Sequence, residues 1–296
     1  MCSFFILPTK FSSCRKLFVF LQKVIASLAP HYPELGMQLY LEVAIVADRC
    51  GFIKEQNHPS SKFSKATFDH KSQEELSLFQ DSTAMATGTN ADFSAMTFEF
   101  VTQALQVYED ELTDSKAQLR CLTLLIGTLL RLSILTKSDY QTLITKTAQL
   151  SAKLIRKPDQ ARLVALCSLL FDREVPPLFG GETYSNPQRV LECLQRSLKL
   201  ADMCYKASIN GSSLELFVDV LELYVYYFCK QMPSITNKFV SGLVALINEH
   251  IDNSKDFSDQ AVQAQTHYRN ILTHIDRQKV KESSGDSEKR FDKVII

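Results

Sequence analysis

Amphipathic segments open near Phe93, Ser138, Pro187 and Ser234, at intervals of 45, 49 and 47 residues, and each interval holds two apolar stripes at helical spacing with a short break between them. A unit of that length is a helix hairpin. One hairpin cannot bury its apolar face alone and must stack on its neighbours. The spacing therefore predicts an all-α fold, a HEAT-like α-solenoid of stacked antiparallel helix hairpins. The period rests on pattern rather than on repeated sequence. The common task of such a stack is to hold other polypeptides along an extended surface.

Composition narrows the function. Glycine and proline number nine each in 296 residues, which suits helix interiors, where glycine costs about 1 kcal/mol and proline about 3 relative to alanine. Thirty-three basic and thirty-three acidic side chains balance, so the broad positive field that a nonspecific nucleic-acid binder needs is missing. The eight cysteines are scattered with no C-x-x-C pair, which predicts free thiols used as small hydrophobes rather than a disulfide framework or a zinc site. The apolar run Leu17–Ala29 carries Gln22 and Lys23 in its middle and falls short of the ~20 apolar residues that span a bilayer. Membrane association is expected to come through partners.

Along the chain, 1–53 reads as a first hairpin: Phe11–Ala29, ended by Pro30 and Pro33, then Glu34–Cys50 with Leu35, Leu39, Val43 and Val46 on one face and Gly51 as the stop. The stretch 54–92, rich in Ser, Thr, Gln, Asn and charge, is expected to be a disordered polar insertion, with a short helix near Glu74–Gln80. A four-hairpin solenoid is expected over 93–280. In it Asp114 and Ser115 cap a helix striped by Leu122, Ile126 and Leu129, and the helix from Ser138 runs to Lys157 with almost no break before the next. Pro176, Pro177, Gly180 and Gly181 mark a loop, and Leu214–Cys229 is almost continuously apolar, which suits either deep core or a binding wall. A disordered tail is expected over 281–296.

No phosphate loop, dinucleotide fingerprint, nucleophile elbow or H-E-x-x-H occurs. His267 and His274 lie seven apart with no carboxylate or thiolate in line, and the run Glu109, Asp110, Glu111 sits at a helix end where solvated charge is ordinary. The expectation is a protein with no catalytic residues, no metal, no cofactor and no small-molecule substrate. A second pattern is the pairing of that acidic run with Lys153, Arg156 and Lys157 in the following unit. Two such patches on one protomer can satisfy each other across a two-fold axis, or both can simply be solvated.

Four blocks in order, Tyr108-Glu-Asp-Glu-Leu-Thr-Asp-Ser-Lys-Ala-Gln-Leu119, Leu125-Ile-Gly-Thr128, Lys153-Leu-Ile-Arg-Lys-Pro-Asp-Gln160 and Arg189-Val-Leu-Glu-Cys-Leu194, closely resemble the C-terminal half of the vacuolar protein sorting-associated protein 35 family, the large subunit of retromer. The resemblance covers Phe11 to about Asp276, with 54–92 as an insertion. It implies a scaffold subunit, cytoplasmic and peripheral on endosomal membranes, that returns transmembrane cargo to the Golgi or the cell surface. It also implies a grip on the metallophosphoesterase-fold subunit, vacuolar protein sorting-associated protein 29. The family's P-R-L-Y-L motif for the arrestin-like subunit is absent here. The resemblance further implies homodimerisation through Glu109, Asp110, Glu111, Lys153, Arg156 and Lys157. For the phosphoesterase-like partner, Leu170, Phe171, Tyr224 and Tyr227 are the expected contacts, with burial in the core as the competing reading. Another HEAT-type trafficking adaptor or a phosphatase scaffold is the alternative assignment.

Overall fold

The structure, a computed structural model, describes residues 11–56, 74–174, 183–207, 214–253, 258–283 and 290–296. Among them are ten α-helices: α1 Phe11–Leu28, α2 Pro33–Gln56, α3 Glu74–Glu111, α4 Ser115–Arg131, α5 Lys137–Ser151, α6 Lys157–Leu170, α7 Pro187–Ala207, α8 Leu214–Cys229, α9 Asn237–Asn253 and α10 Asp259–Ser283. Two short strands, β1 Asp172–Arg173 and β2 Tyr184–Ser185, pair antiparallel between α6 and α7. The chain divides into two compact units, Met1–Thr145 with Glu174–Thr183 and Lys146–Arg173 with Tyr184–Ile296.

In the first unit α2 packs on α1, α3 and α4. Its inner side is set by Met37, Tyr40, Leu41, Ala44 and Ala47, all buried, while Leu35 and Val46 of the expected stripe are exposed. A helix covered on several sides has no single apolar edge, so a one-stripe reading picks the wrong register. Phe18 meets Phe93 edge-on at 6.3 Å, and Phe100 lies 6.1 Å from Phe18 and 6.3 Å from Tyr40. These rings tie α1, α2 and α3 into one core.

Three expectations about this unit are corrected. Gly51 does not stop α2, which runs on to Gln56. A Cβ at Gly51 would run into Ile134 Cδ1 and lie 3.0 Å from Phe93 Cβ, so the missing side chain serves close packing rather than a helix end. Residues 74–92, expected to be disordered, form the first half of α3, and the short helix expected near Glu74–Gln80 is the start of a 38-residue one. Residues 57–73 lie outside the described residues.

Polar ties close the loops. Asp114 is the N-cap of α4 and accepts from the Ala117 N–H at 2.7 Å. Asp48, buried on α2, accepts from the Ser133 N–H at 2.7 Å, the Ile134 N–H at 2.8 Å and the Ser133 hydroxyl at 3.0 Å. That carboxylate satisfies backbone donors left over where α4 ends.

In the second unit α8 packs on α6, α7, α9 and α10, and ten of its sixteen residues are buried. Tyr224 stacks on Phe239 at 5.9 Å, and the Tyr227 hydroxyl lies 3.1 Å from Ser168 Oγ in the interior. The helix ends with Gln231 at φ 58°, Met232 N–H donating to Tyr227 C=O and Gln231 N–H to Phe228 C=O, the pattern of a Schellman stop with a non-glycine residue in the left-handed position. On α10, Ala264, Tyr268, Ile271 and Ile275 are all buried, as their spacing predicts.

The second unit corrects two more expectations and adds a strand ladder beside a third. A real break, Ala152–Arg156, separates α5 from α6, so of the basic run only Lys157 stands on a helix. The stretch after α6 holds the β1–β2 ladder, although Pro176, Pro177, Gly180 and Gly181 fall outside the described residues. The tail is ordered at its end: α10 runs to Ser283, and Phe291–Lys293 form a 3-10 turn with Phe291 and Val294 buried.

Candidate functional site

Leu170, Phe171, Tyr224 and Tyr227 do not form a surface wall. Their exposures are 0%, 2%, 2% and 0%, and their partners are other core groups or, for Phe171, the Arg189 guanidinium 5.4 Å above its ring. Burial pushes the Tyr224 phenol up to about 12 and raises that of Tyr227 further, because a phenolate there would have no water. All four are buried because Tyr224 and Tyr227 stand on a helix covered by four others, while Leu170 and Phe171 close α6, which packs on α7 and α8.

The solvent-facing side of the same helices is different. Second helices of successive hairpins lie side by side, α6 on α8 and α8 on α10. Between α6 and α8 opens a groove of about 240 Å³. Its floor is apolar and small, with Ala161, Ala165, Leu216 and Val220, and Ser197 at its base turns its hydroxyl onto the Ala161 carbonyl at 2.8 Å. Alanines on α6 are what allow α8 to approach closely and still leave a slot.

The rim is charged. The Arg162 guanidinium reaches Glu215 at 2.7 Å and Asp219 at 3.4 Å, and His267 of α10 lies 3.5 Å from Glu222. Partial burial raises the Asp219 carboxyl above its ordinary value, and Arg162 opposes the shift. The carboxylates of Glu215, Asp219 and Glu222 outnumber the one guanidinium on this rim. Leu166 and Leu223 are half-buried along the groove, and Tyr226, one turn further on α8, is 44% exposed with Lys230 Nζ 5.6 Å from its ring centroid. An apolar slot inside a ring of partly paired charge has the make-up of a protein-docking face, where an anchoring side chain is desolvated and the rim sets specificity.

Tyr226 is not among the expected contacts, although its signal is legible in the sequence. Asp219, Glu222, Leu223 and Tyr226 recur at helical spacing, and a polar stripe through an otherwise apolar helix marks its one open side.

The six residues of the charge pattern fall in different units and are each exposed. Glu109, Asp110 and Glu111 close α3 in the first unit, next to the buried Tyr108. Lys153 and Arg156 lie in the turn before α6 in the second, where Arg156 pairs with Asp159 at 3.4 Å and Lys157 Nζ donates to the Gln160 side chain at 3.0 Å. The Gln160 amide in turn bonds the Ala152 carbonyl. The K-P-D-Q block is thus first a structural knot: Pro158 opens α6, and Asp159 sits in its first turn where a carboxylate is favoured.

Among the described residues no cluster of three or more His, Cys, Asp or Glu could hold a metal ion, and no helix is long and apolar enough to cross a membrane. Cys121, Cys167, Cys193, Cys204 and Cys229 form no disulfide, and burial raises the thiols of Cys121, Cys193 and Cys167 to about 11, 11 and 12, so they are poor nucleophiles.

Comparison with known proteins agrees with this architecture. A family model, vacuolar protein sorting-associated protein 35, matches residues 60–250. The match begins inside the stretch expected to be foreign to the family. Vacuolar protein sorting-associated protein 35A of Arabidopsis thaliana is 32% identical over 275 residues, 91% of this chain and 28% of that protein. The Schizosaccharomyces pombe protein 35 is 38% identical over 177 residues, 60% of this chain and 20% of its own length, and the Dictyostelium discoideum one 27% identical over 233 residues, 78% and 23%. The chain spans less than a third of the length of these relatives.

Proposed function

The chain belongs to the vacuolar protein sorting-associated protein 35 family, and from that premise we propose that it is a non-enzymatic scaffold segment of a retromer-type sorting coat, peripheral on endosomal membranes through its partners. Its task is to hold the metallophosphoesterase-fold subunit during retrieval of transmembrane cargo to the Golgi or the plasma membrane. The observation that supports this reading is the outer face of α6 and α8, where a small apolar slot lies between charged rims, with the exposed Tyr226 one turn beyond Leu223 on α8. Arg162, Leu166, Asp219, Leu223 and Tyr226 replace the buried quartet as the proposed contacts. A second assembly contact is proposed through Glu109, Asp110 and Glu111 of one protomer and Lys153, Arg156 and Lys157 of its partner.

Calorimetric titration with the metallophosphoesterase-fold subunit tests the docking face. Leu223→Asp and Tyr226→Asp place a charge in the slot and one turn beyond it on α8, and each weakens binding at least tenfold, since one lost anchor is worth about 1.4 kcal/mol or more. Both variants keep the wild-type thermal midpoint within a few degrees, because neither residue is in the core. Full-strength binding by both variants overturns the assignment of this face.

A further inference from the structure

The last described segment, Arg290–Ile296, returns to the second unit and lies against α8, the α8–α9 turn, α9 and the end of α10. Phe291 meets Phe228 edge-on at 4.7 Å, and the Arg290 guanidinium covers the same Phe228 ring at 4.7 Å while reaching the Ile235 carbonyl at 3.5 Å. The segment's main chain is read by three side chains. The Phe291 N–H donates to Glu282 Oε2 at 2.7 Å, Asn237 Nδ2 donates to the Lys293 carbonyl at 3.0 Å, and the Ile295 N–H donates to Ser241 Oγ at 2.9 Å. Only Phe291 and Val294 are buried; Asp292, Lys293 and Ile295 face solvent.

This is the grammar of peptide recognition rather than of a core. Side chains of the body hold the backbone of the occupant, two anchors three residues apart fill apolar sites, and the positions between them are unread. We propose that the surface formed by Phe228, Ile235, Asn237, Ser241 and Glu282 is a docking site for a segment of another polypeptide in which an aromatic residue is followed three positions later by an aliphatic one. The chain's own Arg290–Ile295 occupies it in cis and competes with that partner. Because occupant and site belong to one chain, the segment competes at an effective concentration of about a millimolar. A segment with an intrinsic dissociation constant near 100 µM then holds the site about ten to one, so an incoming peptide binds about tenfold more weakly than it would to an open site.

The test uses the full chain and a fluorescent peptide of residues 290–296, followed by anisotropy. The variant Phe291→Ala with Val294→Ala opens the site, and the peptide binds it about tenfold or more tightly than it binds the wild-type chain. The same peptide carrying Phe291→Ala does not bind. Equal, weak binding to both chains overturns the proposal. Hydrogen exchange on the wild-type chain covers the case in which the double variant misfolds. Exchange of the amides of Phe291 and Ile295 at least a hundredfold faster than those of α8 marks a releasable occupant; exchange at the rate of α8 marks a fixed part of the core and overturns the proposal. If the wild-type chain associates through its tail, with dimer lost in the double variant, the occupant is a second copy and the partner assignment falls.

Discussion

Tyr227→Ala separates core from contact most sharply. Tyr227 is fully buried, and its hydroxyl lies 3.1 Å from the equally buried Ser168 Oγ. Emptying an aromatic site in a packed interior costs about 3–5 kcal/mol. Leaving the Ser168 hydroxyl without its partner adds about 1. A total near 5 kcal/mol is a large share of the 5–15 kcal/mol that holds a domain together. Tyr227→Phe keeps the ring and loses only the hydrogen bond, at about 1–2 kcal/mol, and Ser168→Ala in that background returns part of the loss, with a coupling of about 1 kcal/mol. Neighbouring Tyr226→Ala, 44% exposed, stays within about 1 kcal/mol of the parent. Urea unfolding followed by circular dichroism reads all four variants. An unshifted midpoint for Tyr227→Ala together with lost partner binding would show that the residue works at a surface, and the reasoning from burial would be refuted.

Other outcomes follow from the same geometry. Reversal of Lys153, Arg156 and Lys157 to Glu weakens self-association about a hundredfold in sedimentation equilibrium, since a two-fold pairing makes about six exposed ion pairs at roughly 0.5 kcal/mol each. Adding Glu109, Asp110 and Glu111 reversed to Lys restores it, and a monomeric wild-type chain refutes the dimer. His250, on α9, packs at a tilt 3.9 Å from the Tyr205 ring and 4.8 Å from that of Phe217 with Nε2 unpartnered, and burial holds its pKa below the ordinary value while Glu249 and Asp202 oppose the shift. A depressed folded-state pKa gives stability that is complete above about 6.5 and is lost as pH falls through the folded value. Urea midpoints of the second unit therefore drop between pH 7.5 and 5.5, and His250→Phe flattens that difference. Gly51→Ala costs about 1–3 kcal/mol by crowding Ile134 and Phe93, and Ile134→Ala in the same chain relieves part of the crowding.

Helices with one open side announced themselves. The stripes of α4 and α10 fall on the residues that are buried, and Asp114, Pro158 and Pro187 stand where caps and first turns require them. What misled were elements whose surroundings differ from those that composition assumes. Leu35 and Val46 looked like the seam of α2, but that helix is covered by three others and its seam runs through Met37, Tyr40 and Ala44. The polar residues of 74–92 counted against order, yet the backbone continues into a helix whose later turns are anchored by Phe93, Phe100 and Tyr108. Propensity weighs each residue alone, whereas a long helix is stabilised wherever part of it docks. The proposed docking face is hidden in the sequence for the opposite reason: in so apolar a segment as α8 the aromatic residues dominate the pattern, and the few polar ones, which mark the way out to solvent, are outnumbered.

A row of repeats in which each touches only the next can fray from its ends, losing one member at a time. The second unit is wired otherwise, because α8 meets α6, α7, α9 and α10 and supplies side chains to each. Peeling away any one of these four exposes the helix that the remaining three depend on. The block therefore melts in a single cooperative step, with equal calorimetric and van't Hoff enthalpies, and a segment made this way yields under load all at once rather than by degrees.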